Sequence, residues 1–289
     1  MPLIQEIIHQ LEAGAAARYL RILLVALAVI TLGLIYDFRA YQNLAAPEAM
    51  DAAQVARNLA EGKGYTTQFI RPLSLYLVQN HNEPETPVTL TNASPDWARI
   101  KTMPHPDLAN APVYPFVLAG LMKALTFNYP VNLKSAFWAN NGSFWRYQPD
   151  FFIALFNQLL LLVVIVLTYL IARKLFDPNV AWLSAILVLG SELLWRFSTS
   201  GLSTMLLMVI FLGLTLLLLE MEKGGREVEP RNGLLLGLAI AVGVLTGLGA
   251  LTRYAFGWTI IPVALFLFFY TARSAGLICS RPCSCLCWC

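Results

Sequence analysis

The chain has 289 residues, of which 57% are hydrophobic and 13% charged, with a net charge of +3. Its mean hydropathy is +0.61. Soluble domains carry about 25% charged residues, so the composition excludes an ordinary globular enzyme, a disordered chain and a nucleic-acid binder, and so small a net charge argues for no polyanion partner. All five cysteines lie within residues 279–289, so no disulfide framework organises the rest. The expected class is an all-α integral membrane protein, because a backbone crossing lipid must pair its own amides. An enzyme, a polytopic transporter or lipid flippase, and a non-catalytic membrane scaffold are the readings to separate.

In chain order, residues 1–17 come first. Leu3, Ile7, Ile8 and Leu11 recur at helical spacing beside Gln5, Glu6, Gln10 and Glu12, which predicts an amphipathic helix along the membrane surface. A span needs about 20 apolar residues, and residues 18–36 supply the first. Five more are expected within residues 151–273, at 151–172, 178–197, 197–219, 232–252 and 254–272. Residues 113–127 carry Lys123 near their middle, with Pro112 and Pro115 at the start; the spacing predicts a juxtamembrane helix rather than a seventh span. With the N-terminus cytoplasmic, Arg18, Arg21, Arg173, Lys174, Lys223, Arg226, Arg231 and Arg273 fall inside, as the positive-inside rule requires. Residues 37–150 then form a large extracytoplasmic loop. Residues 274–289 change character, and their Cys-x3-Cys-x-Cys-x-Cys-x-Cys spacing is unlike a zinc site. They read as sequence out of frame, and the expectation is a truncated chain.

The loop holds the chemistry-bearing segment, Pro47-Glu-Ala-Met-Asp51-Ala-Ala-Gln54-Val-Ala-Arg57-Asn58-Leu-Ala-Glu61-Gly62. It starts as a helix starts and stops at glycine. Glu48 and Asp51, three apart, share one face in the first turn, and Gln54, Arg57 and Asn58 continue that face. His105 and Asp107 are two potential cation ligands, too few to assign a metal site. Glu192 and Arg196 are spaced as a mutually satisfied pair. Gly233-x3-Gly237 and Gly243-x3-Gly247 suit close helix packing.

This arrangement resembles the GT-C superfamily of polyprenyl-phosphate-sugar-dependent glycosyltransferases, nearest to its protein O-mannosyltransferase and aminoarabinose-transferase branch. The family's loop helix has an acid followed, after seven intervening positions, by Ala-x-Asn-x-x-x-Gly, met here by Glu48, Ala56, Asn58 and Gly62. His105-Pro106-Asp107 through Pro112-Val-Tyr114-Pro115 is similar to a family motif carrying an insertion. Arg146 and Asn157 match an arginine before the second span and an asparagine inside it, and Leu251-Thr252-Arg253 matches the end of the fifth. The resemblance covers residues 18–273. It implies a multi-pass glycosyltransferase of the cell inner membrane, holding the N-terminal half of its family's length. The donor would be a polyprenyl-phosphate-linked sugar and the acceptor a lipid, glycan or protein. Glu48 or Asp51 would be the reactive carboxylate; Arg57, Asn58, His105, Tyr114, Arg146 and Arg253 would bind substrate. No further cofactor is assigned, although the resemblance leaves room for a divalent cation.

Overall fold

The computed structural model describes residues 15–41, 43–73, 104–130, 147–226 and 232–279. The amphipathic helix expected over residues 1–17 falls almost wholly outside this set, as do Arg146 and the tail beyond Cys279. Four helices are long and apolar enough to cross a membrane: α1 (Ala15–Arg39), α4 (Gln148–Leu175), α7 (Thr204–Arg226) and α8 (Asn232–Thr252). The chain is thus a helical membrane protein. Leu23, Leu27 and Ile30 on α1 and Leu236, Ile240 and Val244 on α8 are all exposed, large apolar side chains where a soluble protein would present charge.

The expected span at 178–197 is two helices, α5 (Pro178–Leu189) and α6 (Glu192–Thr199), bent by 53°. Counted together they make a fifth crossing. A break strips the last carbonyls of a helix of their intrahelical donors. Here the Trp195 indole, 2% exposed, donates to the Leu189 carbonyl at 2.7 Å and stacks on Tyr36 at 5.4 Å. Glu192 and Arg196 form the expected ion pair at 2.7 Å.

Because a turn at Ser200–Gly201 follows α6, α7 starts at Thr204, where an uninterrupted run from residue 197 was expected. The last expected span opens as a 3-10 turn (Tyr254–Thr259) and continues as α9 (Ile260–Cys279), whose backbone runs past residue 273. Its described apolar part, Tyr254–Tyr270, is shorter than the four long helices.

The glycine spacing in α8 does not mark a close helix contact. A Cβ at Gly233, Gly237, Gly243 or Gly247 would meet nothing within 4 Å. The tight glycine of that helix is Gly249, where a Cβ would stand 2.3 Å from the Phe256 ring; it lets the 3-10 turn fold back against the helix end. Sequence spacing reveals small residues, but not which side a neighbour occupies.

Outside the spans, α2 (Pro47–Ala60) packs on α3 (Val113–Ala124). At about 1.5 Å per residue, the 12 residues of α3 are too short for the ~30 Å hydrocarbon core. Ala49, Ala52 and Ala56 meet Tyr114, Leu118 and Met122 in one buried cluster that includes Ile153 of α4. A two-stranded antiparallel pair, β1 (Thr66–Thr67) with β2 (His105–Pro106), closes the loop above it, in the register Thr66↔Pro106 and Thr67↔His105.

Gly201 locks this layer to the membrane helices. Its φ is +74°, and a Cβ there would lie 2.1 Å from Leu44 Cδ2. Its carbonyl accepts the Tyr114 hydroxyl at 2.6 Å. Gly201→Ala combines left-handed backbone strain with overpacking, so it should destabilise by about 1–3 kcal/mol. A thermal midpoint in detergent unchanged from wild type would contradict this account.

Candidate active site

The local sequence fixes the pose of α2. Pro47 sits at the first helical position, where a missing N–H costs nothing, and Glu48 occupies the first turn at the positive helix end. The helix stops where Gly62 takes φ +78° and the Lys63 amide bonds the Asn58 carbonyl at 2.8 Å. The spacing suggests one polar face, but the structure divides it. Glu48 is exposed, while Asp51 and Asn58 are buried.

Where α2, the 109–115 segment, the start of α7 and the end of α8 meet, they enclose a cavity of about 210 Å³. Glu48, Ala49 and Ala52 form one side, with Arg71, Asn110 and Tyr114 beside them. Ser203 and Thr204, at the N-terminus of α7, and Thr252, Arg253 and Tyr254, at the junction of α8 with the 3-10 turn, complete the lining. Arg253 is extended (φ −152°, ψ 118°) and ends α8 at the cavity. Neither the Glu48 nor the Arg253 side chain has a hydrogen bond or ion pair among the described residues. One free carboxylate and one free guanidinium thus face the same space.

Asp51 lies one turn from Glu48 in a very different setting. It is 0% exposed. Its Oδ1 accepts the Thr67 hydroxyl at 2.6 Å, and its Oδ2 accepts Arg71 Nη2 at 2.5 Å and Asn110 Nδ2 at 2.8 Å. The same Asn110 amide nitrogen also donates to Asp107 Oδ2 at 2.7 Å, so one NH₂ group ties two carboxylates together. The Tyr65 hydroxyl donates to the Asn110 carbonyl at 2.8 Å. Burial pushes the Tyr65 phenol well above its ordinary range, and the nearby Asp107, Tyr254 and Asp51 push it further, so it stays a donor.

The remaining expected substrate-binding residues divide by location. Tyr114 is in the lining, but its hydroxyl is engaged: it donates to Gly201 and accepts from Asn157 at 3.0 Å. Arg57 and Asn58 are not at this cavity. Arg57 pairs with Glu61 at 2.8 Å, lies 4.1 Å over the Tyr129 ring and lines a second cavity on another side of α2. Asn58 holds the Thr66 carbonyl at 2.8 Å, joining helix to strand. Helical rotation explains both: they share a stripe with Asp51 and Gln54, whereas the cavity is met by positions 48, 49 and 52. His105 is buried, with Nε2 3.0 Å from the Phe69 carbonyl. Arg146 lies outside the described residues. Sequence reasoning missed Arg71 and Asn110. Arg71 had one signal available, a cation next to proline just past the helix stop, but nothing local announces that it folds back on Asp51.

The cavity brings a free acid together with Arg71 and Arg253, and the same chain carries a family likeness. Residues 147–281 match the family model described as dolichyl-phosphate-mannose-protein mannosyltransferase. That match supports a membrane glycosyltransferase of the GT-C type and implies a lipid-linked sugar donor. It spans α4 to α9 and Arg253; α1, Glu48, Asp51 and Arg71 lie ahead of it. No curated protein and no solved structure matches the chain.

Asn110 is expected to be the main structural polar residue here. Asn110→Leu leaves Asp107 Oδ2 without its donor, at a cost of about 1–3 kcal/mol. Thermal unfolding in detergent measures it, and a shift no larger than that of an exposed control such as Lys123→Leu would refute the assignment.

Proposed function

We propose that this chain moves a sugar from a polyprenyl-phosphate carrier to an acceptor hydroxyl or amine on a lipid, glycan or protein outside the cytoplasm, inverting the sugar carbon. The observation that carries the proposal is the shared cavity, in which unpartnered Glu48 faces Arg253, with Arg71 beside them. The acceptor oxygen or nitrogen attacks the anomeric carbon while the bond to the phosphate oxygen breaks. The acceptor proton passes to Glu48. The departing lipid phosphate takes the bonding electron pair, and its charge is met by the guanidinium groups of Arg253 and Arg71. Ser203 and Thr204 add hydroxyls at the positive end of α7.

Among the described residues no group of three or more His, Cys, Asp or Glu is arranged to hold a metal ion, and both Asp51 oxygens already have protein donors. The positive-inside count supports a cytoplasmic N-terminus with the cavity on the outer side, and the proposed setting is a bacterial inner membrane. Among the described residues, the bent α5–α6 pair is a feature a transporter would share. Its Glu192–Arg196 pair is 64% and 69% exposed and lines neither cavity, so it offers no midplane site for cargo.

The test is glycosyl transfer by the full chain in membranes supplied with polyprenyl-phosphate sugars. Glu48→Gln should lower turnover by about 10²–10⁴-fold, and Arg253→Ala by about 10²–10³-fold. Undiminished turnover in Glu48→Gln would remove the carboxylate from the mechanism. For orientation, a cysteine placed at exposed Lys63, in a background lacking the five native cysteines, should react with an impermeant maleimide from the outer side. Labelling from the cytoplasmic side alone would reverse the topology.

A further inference from the structure

We propose that Asp51 is a positioning residue and not the proton acceptor: its buried carboxylate fixes the Arg71 guanidinium as an anion-binding wall of the cavity. This rests on the reading of the cavity as the site of a phosphate-linked donor, and it divides the two acids of α2 between two tasks.

The geometry points to this division. The three donors on Asp51 come from three separate segments: Thr67 in β1, Arg71 after it and Asn110 before α3. With three of its roughly four lone-pair sites taken and none of its surface exposed, Asp51 meets no acceptor group without a rearrangement around it. Thr67 is itself fixed, 2% exposed, with its hydroxyl oxygen accepting the Phe69 amide at 3.0 Å. Two rigid partners therefore hold the Asp51 carboxylate while it holds Arg71.

Arg71 is built differently on its two sides. Nη2 meets Asp51 at 2.5 Å, yet the side chain is 35% exposed and lines the cavity. Its Nε is buried and has no hydrogen-bond partner among the described residues. A guanidinium has five donors in a planar fork, and one carboxylate oxygen on one nitrogen leaves most of that fork unsatisfied. An arginine so anchored is pre-organised for a second anion and loses little rotamer freedom on binding it. Glu48, one turn away and without a partner, is left as the carboxylate that meets the acceptor.

The experiment uses the full chain in nanodiscs, with decaprenyl phosphate as the probe, and two readouts. The first is binding of the probe. Asp51→Asn, an isosteric change, should weaken it about tenfold or more, the scale of a lost charged hydrogen bond. Asp51→Glu should restore part of it, and Asp51→Asn should add nothing in an Arg71→Ala background. Glu48→Gln should retain probe binding while losing transfer. The second readout is the rate at which phenylglyoxal modifies Arg71, followed by mass spectrometry. It should rise in Asp51→Asn whether or not any lipid binds.

Asp51→Asn with wild-type probe affinity and lost transfer would make Asp51 the base and overturn the proposal. An unchanged phenylglyoxal rate would overturn it equally. A raised rate with no probe binding by the wild type would uphold the anchor and sink the donor reading instead. Thermal midpoints of every variant separate these outcomes from unfolding.

Discussion

The site depends on how closely α2 lies on α3. Ala49, Ala52 and Ala56 present methyl groups where larger side chains would hold the helices apart, and Tyr114, Leu118 and Met122 fill the space against them. The contact is directional because Tyr114 spends its hydroxyl on Gly201, so the pair of surface helices is keyed to the start of α7 and cannot slide along it. Pro47 and Gly62 set the ends of α2, and rotation about its axis is decided by which residues are small. Glu48 faces the cavity because the alanines face the core.

On this packed base the charges separate into two kinds. Asp51 and Arg71 lie where taking ions out of water is expensive, and a buried pair is tolerated when its hydrogen bonds are met. Thr67 and Asn110 meet those of the carboxylate. Glu48 and Arg253 pay no comparable cost, since they remain at the cavity surface. Asp51 gives the site its shape and unpaired Glu48 its reactivity, and a change to one should not mimic a change to the other.

The sequence made the membrane class, the helix at 47–60 and its glycine stop legible, because each follows from local rules: uninterrupted apolar length, proline at the first turn and a positive-φ residue at the end. It also brought Glu48 and Arg253 to one membrane face through charge bias in the loops. The break at Gly190–Ser191 was less visible, since an apolar run looks continuous until an indole is seen supplying the missing donor. The placing of Arg57 and Asn58 away from the Glu48 cavity was hidden for a simpler reason. Helical periodicity groups residues onto a face but does not say which partner covers it; Asp51 and Asn58 are polar and buried because β1 lies over them. Arg71 and Asn110 were invisible for the same cause, being joined to Asp51 only by tertiary folding.

The β1–β2 pair has a consequence for how such a chain can vary. Thr66 is paired with Pro106 and Thr67 with His105, so segments far apart in the chain are held in one register beside Asp51. A slip of one residue in so short a ladder would turn its side chains to the opposite face, and Asp51 would lose its Thr67 donor. Arg71 and Asn110 lie close to the pair in sequence, and their contacts with Asp51 leave little slack for such a slip. Length changes between Thr67 and Arg71, or between His105 and Asn110, are therefore the ones the site would feel first.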